Sequence, residues 1–290
     1  MKILVTGING AVGGNLFRLF GKDGSFILDG MSRQPYHLLE LNPDINTYNI
    51  DLIQNSPEPS FFDKYDVIFH TAAVTPKFAK SKIEFSQNDA IAQSIAKSLI
   101  RYKGRVFLFS TGSVYRPSAD MLNENSELNF EDPYGASMLR VEEAFSNSIK
   151  ELTIFRLFYP YGFDQYTPAD NLIAKLLARI NGGQDISVNP NFNSVLINPL
   201  FIADLYFILC KFLKDRIPSD IYNVAGPDAL AFSELIKMLY QKAKVSFKDS
   251  LINDTLTSPI CGNTDKLFQH IDRTKLTSLE WGINQIKLNV

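Results

Sequence analysis

Cysteine is scarce in this chain of 290 residues: Cys210 and Cys261 are its only two, far apart, with no CxxC and no histidine cluster beside them. That argues against a disulfide framework and against a zinc site; no metal is expected, and a reducing cytoplasm is the expected setting. Charge of one sign is lacking too. The 29 Lys and Arg against 31 Asp and Glu leave a formal −2, so there is no electrostatic footprint for nucleic acid or for an anionic membrane surface. The longest apolar run, Leu200 to Leu213, is broken by Asp204 and Lys211, and no membrane span is expected. There is no low-complexity linker and no internal repeat. The chain starts straight into a strand-like run, and no signal peptide is read there.

What is present is ordinary material for a core, 45% hydrophobic residues, arranged around one stretch. Lys2 to Thr6 is a short apolar run of the kind that forms a buried parallel strand. Gly7, Gly10 and Gly13 follow at spacings of three, and Leu16, Leu19 and Phe20 mark the inner side of a helix. Such glycines permit the tight turn, the approach of backbone to a pyrophosphate, and close helix–sheet packing that aims N–H groups at phosphates. The spacing is GxxGxxG rather than GxGxxG, and its place between strand and helix is what points to a dinucleotide. Ser25 to Met31 reads as a second strand ending in Ser32 and Arg33. An acid at this strand end binds an adenosine ribose, whereas arginine accommodates a 2′-phosphate. Asp29 lies inside the strand, so NADP(H) is favoured through Arg33, with NAD(H) left open.

The alternation continues. Asn46 to Ile50 is a third strand, leading into Asp51 and Leu52, and Ser56 to Ser60 is a Pro-rich loop. Asp66 to His70 is a fourth strand, with His70 read as packed rather than catalytic, and the small Thr71, Ala72 and Ala73 leave room for a flat group. Glu84 to Tyr102 has helical spacing with Ile91, Ile95, Leu99 and Ile100 inward. Arg105 to Phe109 is a fifth strand, running into Ser110 and Thr111. A helix opens at Pro133-Tyr134, with Leu139, Val141 and Phe145 inward, and Leu152 to Phe158 is a sixth strand. This is an α/β pattern, a Rossmann-type doubly wound parallel sheet with its ligand at the strand carboxyl ends. After about Gly162 the rhythm loosens. A helix is read over Asn171 to Ile180, a polar loop over Asn189 to Asn193, strands at Val195 to Ile197 and Ile221 to Val224, and a helix over Phe232 to Ala243. The expected division is a dinucleotide-binding domain over 1–162 and mostly a smaller substrate lobe over 163–290, with segments around 195–225 returning to the first.

In order along the chain stand TGINGAVG, Asp51-Leu52, HTAA, Asn88, FSTGSVY, PYGAS, RLFYPYG, DNLI, FIADL and YNVAGP. The set resembles the extended short-chain dehydrogenase/reductases, the nucleotide-sugar epimerase, dehydratase and ketoreductase group, over nearly the whole chain. The resemblance implies that Thr111 and Tyr134 are the catalytic hydroxyls. It implies cofactor contacts from Gly7, Asn9, Gly10, Ala11, Val12 and Gly13 in the first turn, and from Ser32, Arg33, Asp51 and Leu52. Further contacts are implied from Thr71, Ala72, Ala73, Asn88, Ser110, Tyr134, Phe158 and Tyr161. For a nucleotide-linked sugar it implies Thr75, Thr111, Ser113, Tyr159 and Asn171. It also suggests a homodimer through the helices over Glu84 to Tyr102 and Tyr134 to Ser148.

Two departures qualify these expectations. The family motif is Tyr-x-x-x-Lys, and Met138 replaces the lysine at the catalytic site. Without that charge Tyr134 is expected to stay near the ordinary tyrosine pKa of about 10, a poor base for starting an alcohol oxidation but an adequate proton donor to a ketone being reduced. The sequence therefore favours a one-way NADPH-dependent ketoreductase of a nucleotide-linked deoxysugar, such as a 4-keto-6-deoxyhexose. An epimerase or dehydratase and a non-catalytic NADP-binding sensor are the alternatives. Arg140 and Arg116 are the candidate substitute cations. Secondly, many relatives carry a diphosphate-clamping arginine where this chain has Ile197 and Asn198, so no bidentate clamp is expected from there.

Overall fold

The computed structural model describes residues 1–34, 45–79, 81–163, 171–184, 186, 195–246 and 260–286. The polar loop expected at Asn189 to Asn193 lies outside them. In chain order the elements are β1 (Lys2–Thr6), α1 (Ala11–Asp23), β2 (Ile27–Ser32), β3 (Asn46–Asn49), β4 (Val67–His70), α2 (Lys82–Phe85), α3 (Gln87–Ser98), β5 (Arg105–Thr111), α4 (Pro133–Ser146) and β6 (Leu152–Leu157). Then come α5 (Leu172–Asn181), β7 (Leu196–Ile197), α6 (Ile202–Lys214), β8 (Ile221–Val224), β9 (Leu230–Ala231), α7 (Phe232–Ala243), α8 (Asp265–Phe268) and α9 (Leu279–Gln285).

Seven strands form one parallel sheet in the order β3-β2-β1-β4-β5-β6-β8. The expected doubly wound sheet is therefore present, and the order reverses between β1 and β4, where such sheets bind ligands at their carboxyl ends. Alternate residues of each strand feed opposite layers. Ile3, Val5, Phe69, Phe107 and Phe155 pack with α1 and α6 through Phe17, Leu205 and Phe212. Leu4, Ile68, Val106, Leu108 and Ile154 pack with α3 and α4 through Ile95, Met138 and Phe145. Burial on both faces is why these strands read as continuous apolar runs. A third core joins α5, α7 and α9 through Leu176, Leu235, Leu239 and Ile283, beside the antiparallel pair of β7 and β9. The strand Ile221 to Val224 belongs to the main sheet as its edge.

Several local expectations are corrected. The helix read from Glu84 to Tyr102 is two: Ser81 caps the short α2 in a capping box with Glu84, and α3 begins anew after Ser86. Ile100 falls beyond α3 and is 65% exposed. Ser110 and Thr111 lie within β5 rather than after it. Asp204, in the first turn of α6, accepts from the Thr277 amide and hydroxyl at 2.9 and 2.6 Å, tying α6 to the approach of α9. Trp281 is 54% exposed and meets Phe201 only edge-on.

The helix bearing Tyr134 is fastened to the sheet by a buried ion pair. Arg156 of β6 donates to both carboxylate oxygens of Glu142 on α4, at 3.1 and 2.6 Å, and Ser110 of β5 donates to the same carboxylate at 2.5 Å. Burial alone would lower the Arg156 pKa, and the hydrogen bonds and charge of Glu142 more than reverse it. Glu142→Gln is expected to cost about 3–5 kcal/mol, since it leaves a buried guanidinium uncompensated. Chemical denaturation of the variant beside the wild type measures this.

Candidate active site

The first turn is shaped by close approach. Gly7 has φ +75°, and a Cβ there would lie 2.8 Å from the Ala72 backbone; one on Gly13 would overlap the Thr71 hydroxyl and meet the Gly7 carbonyl at 2.5 Å. The space over Ala72 and Thr71 is thus kept for backbone alone. Helix α1 starts at Gly10 with no side-chain cap and no acid in its first turn, which leaves N–H groups and a positive dipole end for an anion. The cradle fits a dinucleotide pyrophosphate. Thr71 itself donates to the Thr6 carbonyl at 2.6 Å, so its hydroxyl locks β4 to β1.

At the end of β2 the Asn9 amide donates to the Ser32 hydroxyl at 3.4 Å and to the Gln34 carbonyl at 3.0 Å. Ser32 also donates to Gln34, at 2.5 Å. Arg33 stands exposed beside them. Asp29 is fully buried and takes hydrogen bonds from Tyr65 and Asn46, with Lys2 at 3.1 Å. Burial would raise its pKa, and those partners hold it below the usual carboxylate range. Among the described residues no acid is therefore left at this strand end for a ribose. Asp51 accepts from the Ile53 amide at 3.0 Å, and Leu52 is buried in the core. His70 is buried, with Nδ1 2.9 Å from the Thr6 hydroxyl; burial pushes its pKa down to about 3, keeping it neutral.

The chemistry-bearing pair sits at the carboxyl end of β5. Thr111 accepts from the Ser113 amide at 3.1 Å and donates to the Ser113 hydroxyl at 3.3 Å. The Thr111 hydroxyl is the side chain whose influence draws the Tyr134 pKa down, and the Tyr134 ring lies 5.5 Å from that of Phe85. Asp132 caps α4 by accepting from the Gly135 amide at 2.6 Å. A Cβ on Gly135 would overlap the Ser113 carbonyl, so this glycine sets the distance between tyrosine and threonine. Asn88 is wholly occupied: it accepts from the Val74 amide at 2.6 Å and donates to the Val74 carbonyl and the Ser137 hydroxyl at 3.0 and 3.1 Å. It holds the loop after β4 against α4, where Thr75 begins.

Met138 is 1% exposed within the core under α4. Burial and the Asp132 carboxylate push the Tyr134 pKa up to about 12, offset only in part by the Thr111 hydrogen bond. The expected value near 10 is thus corrected upward, because the phenol is desolvated and faces a negative charge. Neither candidate substitute cation reaches it. Arg140 turns to Asp89 at 2.9 Å, and Arg116 to Glu127 at 2.9 Å.

Other expected site residues have structural engagements. Ser110 serves Glu142. Phe158 is buried beside Gly112 and Gly262, and Tyr161 is buried in the core of the C-terminal lobe. Tyr159 has φ +42°, and its phenol accepts from the Ile260 amide at 3.0 Å. Asn171 caps α5 through the Ala174 amide at 3.0 Å. Asn198 is buried and exchanges two hydrogen bonds with Gly262, which accounts for the missing arginine: this position faces protein. Sequence reasoning missed Gly135, Ser137, Glu142 and Arg156 as the parts that place Tyr134. The only available signal was a glycine directly after the tyrosine and a glutamate two turns further along the helix.

Comparison with known proteins agrees with the fold. The UDP-glucose 4-epimerase of Lactobacillus helveticus is 20% identical over 97% of this chain and 97% of its own. A mitochondrial isoleucine–tRNA ligase of Mus musculus is 26% identical over 53% of this chain, which spans only 14% of that ligase. The structure of UDP-glucuronic acid 4-epimerase from Bacillus cereus, in complex with UDP-glucuronic acid and NAD, superposes with a TM-score of 0.82 at 20% identity, covering 98% and 97% of the two chains. That of TunA, an NAD-dependent NDP-hexosamine 5,6-dehydratase involved in tunicamycin biosynthesis, does so with 0.79 at 19% identity, covering 98% and 95%. A model of one family matches residues 3–225, most of the chain and all of the main sheet. The chain belongs to the NAD dependent epimerase/dehydratase family.

Proposed function

We propose that this chain is an NAD(P)-dependent enzyme acting on a nucleotide-linked sugar, of the epimerase or dehydratase kind. The observation that carries the reading is the Thr111–Tyr134 hydroxyl pair at the carboxyl end of the sheet, on the same rim as the glycine cradle. The UDP-glucuronic acid and NAD held by the Bacillus cereus neighbour support the substrate class. The cofactor, when bound, supplies the redox equivalent at the sugar carbon. The first turn would hold its pyrophosphate, and Arg33, at a strand end where the described residues leave no free acid, would hold a 2′-phosphate. Thr111 orients the sugar oxygen and Tyr134 moves its proton.

Met138 favours a second reading, the one-way ketone reduction expected from the sequence. With a pKa of about 12, about one Tyr134 in 10⁵ is ionised at pH 7, so the phenol is a ready acid and a rare base. The family's epimerase and dehydratase members support the first reading over this one, and pH separates the two. As a base, Tyr134 gives a rate that climbs about tenfold per pH unit up to its pKa; as an acid, it gives a rate flat from pH 6 to 10.

The decisive assay incubates the protein with UDP-glucose, UDP-glucuronic acid or nucleotide-linked 4-keto-6-deoxysugars, following absorbance at 340 nm and products by chromatography. Product without net cofactor change, lost about 100-fold or more in Tyr134→Phe, is the expected result. Stoichiometric NADPH consumption establishes the reductase instead. Bound cofactor with no turnover in either mode overturns both and leaves a sensor.

Two variants refine the assignment. Met138→Lys is expected to lower the Tyr134 pKa and raise alcohol oxidation at pH 7 by at least about tenfold. Arg33→Ser is expected to weaken NADPH binding by about tenfold or more while leaving NADH unchanged; fluorescence titration of each cofactor measures it, and equal loss for both refutes the 2′-phosphate role.

A further inference from the structure

A cleft of ≈ 1120 Å³ opens at the opposite rim of the sheet, where β4, β5, β6 and β8 begin. Its lining includes four cations, Arg101, Lys103, Arg105 and Arg216, against three carboxylates, Asp63, Asp66 and Glu151. Among the described residues none of these cations enters an ion pair. The carboxylates are partly engaged elsewhere. Asp66 accepts from the Lys2 amide at 2.7 Å, and Glu151 from the Ser219 hydroxyl at 3.4 Å.

Arg105 is held rigidly. It donates to the carbonyls of Phe212 and Ile217, both at 2.7 Å, and its guanidinium lies over the Phe107 ring at 5.0 Å. Those two bonds leave three of its five N–H donors unused. Desolvation draws the Arg105 pKa down most, Glu151 raises it, and the like charge of Arg216, a smaller influence than Glu151, draws it down again. Arg216 also has φ +49° directly after α6, where glycine would be unstrained. Two guanidiniums, one of them on a backbone with positive φ, thus line the wall of a cleft large enough for a small-molecule ligand.

We propose that this cleft binds a small phosphate-bearing anion, of the pyrophosphate or nucleoside polyphosphate class, between Arg105 and Arg216 with Lys103 at the rim. A multivalent oxyanion relieves the repulsion between the two guanidiniums and takes the forked hydrogen bonds they offer. The site is remote from Thr111 and Tyr134 and independent of the reaction they perform.

Calorimetric titration of the full-length protein with sodium pyrophosphate, and separately with ATP, tests it. The wild type should bind at one site whose affinity falls with added salt. Arg216→Gly and Lys103→Ala should each weaken that binding by about tenfold, the loss of one charge-assisted hydrogen bond. Arg216→Gly relieves the backbone, so its Tm should equal or exceed the wild-type value, which separates lost binding from lost folding. ATP binding more tightly than pyrophosphate assigns the nucleoside a share of the recognition, and equal affinities assign it to phosphate alone. No binding, or binding that both variants leave intact and that therefore lies in the glycine cradle, overturns the proposal.

Discussion

The buried pair between Glu142 and Arg156 is the constraint on which the site depends. Two charges out of water are tolerable only when each is fully satisfied, and here satisfaction draws in half the molecule. Ser110 donates to Glu142 from β5. Arg156 also donates to the Tyr115 phenol at 2.8 Å, and Tyr115 donates to Asn223 of β8 at 2.7 Å. Asn223 in turn donates to the carbonyls of Leu122 and Asn263. One network therefore ties α4, three strands, the loop after β5 and the segment before α8. The helix that presents Tyr134 is positioned at its far end by this pair and at its near end by the Gly135–Ser113 contact.

That scaffold is kept although one member of the catalytic motif has changed. Met138 occupies the apolar space beneath α4, and its neighbours are the side chains of a core. The consequence is electrostatic. Desolvation and Asp132 act in one direction, and together they push the Tyr134 pKa up to about 12. Family membership describes the chain's architecture; at position 138 an apolar core side chain stands in the motif.

Much of the architecture was legible in the sequence because it rests on local rules. The glycine turn, the apolar strands and the inward positions Ile91, Ile95, Val141 and Phe145 follow from periodicity and from the space that glycine leaves. Asp29 could be set aside as a ribose ligand because strand register alone placed it inside β2. The break between α2 and α3 was less visible, since the capping box at Ser81 and Glu84 competes with a helical pattern that runs on through it.

The sequence by itself determined the doubly wound sheet and the location of its ligand rim, since these depend on residue type and spacing along the chain. The tertiary structure alone decided what each polar group has left to offer. Asn88, Ser110, Asn171 and Asn198 carry ligand-binding chemistry in their side chains, yet each spends its hydrogen bonds on residues 3 to 64 positions away. Hydrogen-bonding capacity is finite and its partners are chosen by packing, so only the folded chain shows which groups are committed and which face the site.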